Sequence, residues 1–205
     1  MNFTVISPPP YEPVPLTTIY KHLRLTPDHQ NSPGEETHPD DAILRGYRTS
    51  AREDVESATG RSLVQQTIRG SFAADELVKL FHGPVVSVSS VSYYDSSNVL
   101  TVVDSANYYV TDELVPEVRF VTAYAAPTTY DRPDAIRVEF SAGYVGDGSP
   151  PTSEEEYSAN VPQSLKDAIL LGIQILYDDI SDQDRAALER CQSALMSQHV
   201  IRNSP

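Results

Sequence analysis

Hydrophobic positions along this chain change period twice. Between residues 40 and 60 they recur at helical spacing: at about 100° per residue, Ile43, Leu44, Tyr47, Ala51, Val55 and Ala58 share one arc. Both ends of that run are marked. Asp40 is placed to act as N-cap, Asp41 puts negative charge where the helix dipole favours it, and Gly60 sits where a left-handed residue ends a helix. Arg45, Arg52 and Glu56 fall opposite the apolar arc and are expected to face water. Asp54 lands just inside the arc, so that edge is expected to border a polar interface. This helix is expected to fix where the rest of the chain packs.

Beyond Gly60 the period falls to two. Residues 63–72 alternate weakly, with Val64, Gln66 and Ile68 on one face, and a second short run at 77–81 ends in the turn signal His82-Gly83-Pro84. Residues 85–94 alternate valine with serine, turn at 95–98 and return through 99–103, the clearest hairpin in the chain. Residues 108–111 and 118–121 flank an acidic turn and predict a second hairpin. At 135–142, Ile136, Val138 and Phe140 face one way and Arg137, Glu139 and Ser141 the other, a half-buried strand. The middle of the chain therefore predicts a small antiparallel sheet.

On either side of it the signal differs. Residues 2–16 read as an extended arm with a short edge strand at Phe3, Val5 and Ile6, stopped by the prolines at 8–10. Thr17 opens a short helix carrying Ile19, Tyr20 and Leu23 on one side. Residues 26–39 and 146–160 read as polar and acidic loops. From Pro162 the helical period returns almost all round: Leu165, Ile169, Gly172, Ile173, Leu176 and Ile180 share one arc, which Leu170, Leu171, Ile175 and Tyr177 widen. A helix this apolar must be covered on more than one side, as the central core helix or as one shared with a neighbouring subunit. The helix at about 183–199 has only the thin seam Leu188, Cys191 and Leu195, enough for one partner. The tail from residue 200 is expected to be disordered in isolation.

Composition narrows the chemistry. The 205 residues suffice for a real core, and a hydrophobic fraction of 40% with 16 prolines fits a globular core bearing irregular segments. No secretory signal pattern opens the chain, and Lys166, Asp167 and Gln174 interrupt the apolar helix, so no membrane partner is expected. One cysteine excludes an internal disulfide framework. The formal charge of -14 argues against ordinary nucleic-acid binding, while leaving room for a protein that lets DNA pass without holding it. His29 and His38 lie in a loop without clustered ligands, and residues 178–184 lack the calcium-loop glycine and closing glutamate. Gly143, Gly146 and Gly148 are not followed by the Lys-Ser/Thr of a phosphate loop. No nucleophile elbow, triad or metal spacing is present. No cofactor, no metal and no catalytic residue is expected, and the chain is not read as an enzyme.

Five stretches in order, however, resemble a known family. They are VISPPPYEPVPLTTIYKHLRL near the N-terminus, the helix DDAILRGYRTSAREDVESATGRSLVQQT, the strand GPVVSVSSVSYYD, the strand YDRPDAIRVEFSAGYVGD, and the helix VPQSLKDAILLGIQILYDD. Together they span residues 5–179 and resemble the head–tail connector (adaptor) proteins of tailed bacteriophages, the ring beneath the portal. The loops at 26–39 and 146–160 look longer than is usual there, and Val145 stands where a glycine often follows Ala-Gly-Tyr.

The resemblance implies one connector domain of α+β class: arm and helices at 1–61, antiparallel β region at 62–145, acidic loop at 146–160, C-terminal helices and tail at 161–205. It implies a structural virion protein in the neck between head and tail, made in the host cytoplasm. Its partners would be the portal protein and the next adaptor, stopper or tail protein, in a homo-oligomeric ring of twelve copies with DNA passing through the lumen. The helix at 40–60 is then the family's framework helix, packing the sheet on Tyr47, Ala51 and Val55. Gly46, Ser50, Asp54, Ser57, Leu171 and Ile175 are candidates for the subunit interface, and Tyr177, Leu188, Cys191 and Leu195 for docking to the portal. A β-rich virion module binding a receptor or glycan is the alternative, with Tyr93, Tyr94, Tyr108 and Tyr109 as a stacking surface; ordinary strand packing accounts for the same tyrosines.

Overall fold

The computed structural model describes residues 1–27, 37–125, 128–145 and 153–201. His29, Gly146, Gly148 and most of the two expected loops lie outside the described residues. The chain divides into two compact units: a sheet unit of Met1–Pro10 with Gln65–Tyr144, and a helical unit of Tyr11–Val64 with Val145–Pro205. The class is α+β, as the alternation of periods predicts.

In the sheet unit five strands pair antiparallel throughout. They are β1 (Asn2–Ser7), β2 (Gln66–Phe72), β3 (Val85–Tyr94), β4 (Leu100–Val102) and, late in the chain, β7 (Ile136–Ala142), in the order β1-β2-β7-β3-β4. β7 is thus the central strand, with Phe140 beside Ile68 on one flank and Val88 on the other. Its alternation matches its position. Ile136, Val138, Phe140 and Ala142 are buried and the residues between them are not. β2 does the same with Gln66, Ile68, Gly70 and Phe72 inward, and Phe3 lays its ring edge-on to both Phe72 and Phe140. Gly70 permits this, because a Cβ there would fall 2.8 Å from the Phe72 ring and 3.1 Å from Phe3.

The β3–β4 hairpin forms as expected. Asp95 closes its turn by accepting the amides of Ser97 and Val99, with Asn98 left-handed at φ 60°. β5 (Tyr108–Val110) and β6 (Val118–Phe120) form the second expected hairpin, as a separate two-stranded sheet. The run at 77–81 is not a strand. It contributes only a bridge between Lys79 and Glu117 and the buried Leu80.

The helical unit holds α1 (Leu16–Leu23), α2 (Asp41–Thr59), α3 (Glu154–Asn160), α4 (Gln163–Tyr177) and α5 (Asp182–Ser197). α4 is central, lying against α1, α2 and α5, with Leu165, Ala168, Ile169, Leu170, Gly172 and Ile173 buried. Gly172 sets the closeness of the packing: a Cβ there would lie 3.2 Å from the Ala51 Cβ on α2 and 2.8 Å from the Gln192 amide on α5. Hence the apolar arc of α2 finds α4 through Ala51, where a sheet was expected. α3 falls in what reads as an acidic loop. Ser153 caps it by accepting the Glu156 amide, and three glutamates fill its first turn. No described helix is long and apolar enough to cross a membrane.

Candidate assembly surfaces

The helical unit buries charge where the sequence pattern expects solvent. Arg52 and Glu56, assigned above to the water-facing side of α2, are both sequestered, with side chains 7% and 12% exposed. The reason lies in the proline-rich arm. Glu12 reaches back to α2, taking the Arg52 Nε at 2.9 Å and the Thr49 hydroxyl at 3.0 Å. Arg52 also donates to Glu56 at 2.6 Å, and Glu56 caps the start of the next segment by accepting the Leu63 amide at 2.7 Å. Burial alone would depress the Arg52 guanidinium, but the charges and hydrogen bonds of Glu56 and Glu12 together raise it. Burial pushes the Glu56 carboxyl up, opposed by Arg52 and by that amide. Arg48 is buried too, donating to the Val14 carbonyl and pairing with Glu154 at 3.1 Å. Ion pairs and hydrogen bonds therefore tie residues 12–14, α2 and α3 together within the helical unit.

A second polar knot fixes the start of α2. Asp40 occupies the N-cap position but its side chain caps no backbone amide; it accepts the Tyr177 hydroxyl at 2.7 Å, which raises the tyrosine's pKa. Asp41 takes the Tyr20 hydroxyl and the His38 amide. Tyr177, a portal-docking candidate, is thus half-buried and engaged within its own chain.

The other candidates separate into two groups. Gly46, Ser50, Asp54 and Ser57 are all exposed and share one stripe of α2 within about 80° of arc. Nothing lies within 4 Å of where a Gly46 Cβ would be, and Ile43 stands on the same stripe 51% exposed rather than in the buried arc. Ala58 is likewise exposed. Leu171 and Ile175 are half-buried on α4. On α5 no residue is fully buried, which suits a helix with one partner. Leu188 and Leu195 are half-buried, but Cys191 faces out. The seam runs instead through Arg185 and Gln192, which donate to the Ile175 and Ala168 carbonyls of α4.

The last described residues, 199–201, are anchored as well. His199 binds Ser164 through Nε2 at 2.7 Å and accepts Arg61 on its carbonyl, while Ile201 is buried with its amide on the Thr59 carbonyl. Ile201 thus corrects the expectation of a loose tail at that one position, because its apolar side chain has a seat beside the left-handed Gly60, while residues 202–205 of the expected tail lie outside the described residues. Sequence reasoning missed this seat, and a lone isoleucine carries no periodic signal.

In the sheet unit the tyrosines pack as strand residues. Tyr93 and Tyr108 lie against the core, and Tyr94 is covered by the Arg132 guanidinium at 3.6 Å. Tyr109 is the exposed one of the four. The acidic junction at 178–184 is accounted for by capping: Ser181 accepts the Asp184 amide at the start of α5. Among the described residues no group of three or more histidine, cysteine or carboxylate side chains is placed to hold a metal.

No family model matches the chain, and no curated protein matches it in sequence. Its fold, in contrast, recurs from end to end in solved particles. The class it defines is α+β, and the same fold is found in chains of gene transfer agent (GTA) particles. The likeness covers 100% of this chain and 98% of a chain in the virion of the native GTA particle, with TM-score 0.72 at 19% identity. The coverage is the same for a chain in the neck of the empty GTA particle computed with C6 symmetry, at TM-score 0.73 and 19% identity. For one in the neck of the native GTA particle computed with C12 symmetry the TM-score is 0.71 at 18% identity.

Proposed function

We propose that this chain is a structural virion protein of the neck, a head–tail connector that forms a homo-oligomeric ring between the portal protein and the next adaptor, stopper or tail protein. The full-length likeness to neck chains, one of them in a particle computed with C12 symmetry, carries the reading and suggests twelve copies. Twelve copies at -14 each line a lumen through which DNA slides without specific binding. The role requires no catalysis and no cofactor. It does require surfaces that stay uncovered in the isolated subunit, which is the state of the Gly46–Ser50–Asp54–Ser57 stripe. Leu171 and Ile175 extend that subunit interface, and Leu188 and Leu195 belong to the portal-facing side.

The test is mass measurement of the purified chain with and without the portal of the same particle. The chain alone is monomeric or weakly associated, and adding portal yields rings. A chain that binds no portal of its particle is not a connector.

A further inference from the structure

A cleft of about 470 Å³ opens at the end of α1, lined by His22, Leu23, Arg24, Gln174 and Asp178. Three observations single it out. Arg24 holds the left-handed conformation, φ 57° and ψ 33°, which glycine adopts freely and which an arginine adopts only against steric resistance. His22, its neighbour in the wall, is already committed to Gln174 at 3.2 Å. The Arg24 guanidinium, by contrast, is exposed and has no hydrogen-bond or ion-pair partner among the described residues. In a chain of net charge -14, Arg48, Arg52, Arg69, Arg119, Arg132 and Arg137 are all paired with carboxylates; Arg24 shares with Arg45 and Arg190 the lack of any partner among the described residues, and of these three it is the one that lines this cleft.

The complementary group is on α2. Asp54 is exposed and free of any partner among the described residues, whereas its neighbour Glu53 approaches Arg52 at 3.5 Å. Asp54 also stands between the short side chains of Ser50 and Ser57, so another surface can reach it closely. The two groups cannot meet within one copy. α1 joins α2 through Tyr20 and Asp41, and the thirteen residues from Asp41 to Asp54 carry the carboxylate about 20 Å along the helix.

The geometry points to a head-to-tail contact between two copies of this chain, in which Asp54 of one copy enters the α1 cleft of the next and pairs with Arg24. Asp178 in the cleft wall suits the same occupant, since the Ser50 and Ser57 hydroxyls that accompany Asp54 can donate to it. A pair of different patches on each copy makes a heterologous contact, the kind that closes into a ring. This contact rests on the connector reading and names the residues that set its register.

Exchange of charge tests it. Arg24→Asp and Asp54→Arg, both at exposed positions, leave the circular dichroism and melting of the free subunit unchanged. Each alone lowers ring formation on the portal at least tenfold, by placing like charges at every junction. The double variant restores rings. So does an equimolar mixture of the two single variants, because alternating copies again pair opposite charges. Single variants that assemble like the unaltered chain, or a double variant as deficient as the singles, would overturn the contact while leaving the connector reading standing. An unaltered chain that never forms rings overturns both.

Discussion

The two units are held by different physics. The sheet unit has an apolar core in which Ile68, Phe72, Val138 and Phe140 pack side by side on one face of the sheet. Apart from the buried Glu117, which pairs with Lys79 and Arg119, its ion pairs are partly exposed, as in Arg69 with Glu139 at 40% and 35%. Its partly exposed pairs contribute little. The helical unit has an apolar seam along α4 and, beside it, cations sequestered by Glu12, Glu56 and Glu154. Its surface is different too. Val5, Leu77, Val99, Val102 and Leu114 are at least half exposed in the sheet unit, whereas the cations without a partner among the described residues, Lys21, Arg24, Arg45 and Arg190, belong to the helical unit. Most of the exposed apolar side chains thus lie in one unit and the unpaired cations in the other, with Ile43 the large exposed apolar residue of α2.

The sharpest way to break this contrast is a pair of core substitutions. Phe140→Ala removes a fully buried ring from the central strand and is expected to destabilise the sheet unit by about 3–5 kcal/mol. Arg52→Met leaves Glu12 and Glu56 facing each other without their cation, and an uncompensated buried charge costs a similar amount, about 3–5 kcal/mol. Denaturant titration followed by helical circular dichroism and by hydrogen exchange of β7 amides separates the two losses. If Arg52→Met proves neutral, the ion network is a by-product of packing.

A smaller effect is expected at the helix crossing. Gly172→Leu forces its side chain into Ala51 and Gln192, breaking the Gln192 bond to the Ala168 carbonyl, and such overpacking costs about 1–3 kcal/mol. Thermal melting of the variant measures it.

The smallest effect is one of pH, and it places one histidine in each unit. Burial depresses the pKa of His82 in the sheet unit, and burial with the Arg61 charge depresses that of His199 in the helical unit. The unfolded chain then takes up the proton first. Stability is fully present above the unfolded value of about 6.5 and falls as pH drops from there through the folded value. His82→Gln and His199→Gln should each flatten part of that acid slope in urea titrations, and a slope unchanged by both would remove histidine as its cause.

Much of this was legible in the alternation itself. β7, both hairpins, α2 and α4 stand where periods of 2 and 3.6 put them, and α5 falls where its thin seam put it although no residue of it is fully buried. The failures share a cause: the partner lies far along the chain. Arg52 reads as a solvent residue until Glu12, forty positions earlier, comes to meet it. β7 joins β2 to β3 from more than fifty residues beyond β2, and no local pattern announces that order. α3 was legible in retrospect from Ser153 with Glu156 three residues on, a capping signal masked by the prolines before it. For the candidate surfaces, the exposed stripe of α2 followed from helical geometry, whereas Tyr177 was spoken for by Asp40 across the bundle.

Electron cryo-microscopy of the portal saturated with this chain tests the central claim most directly. A closed ring of twelve copies coaxial with the portal is expected, with the α2 stripe of each copy against its neighbour. Portal particles that remain bare, or copies bound singly with the α2 stripe facing solvent, would contradict it.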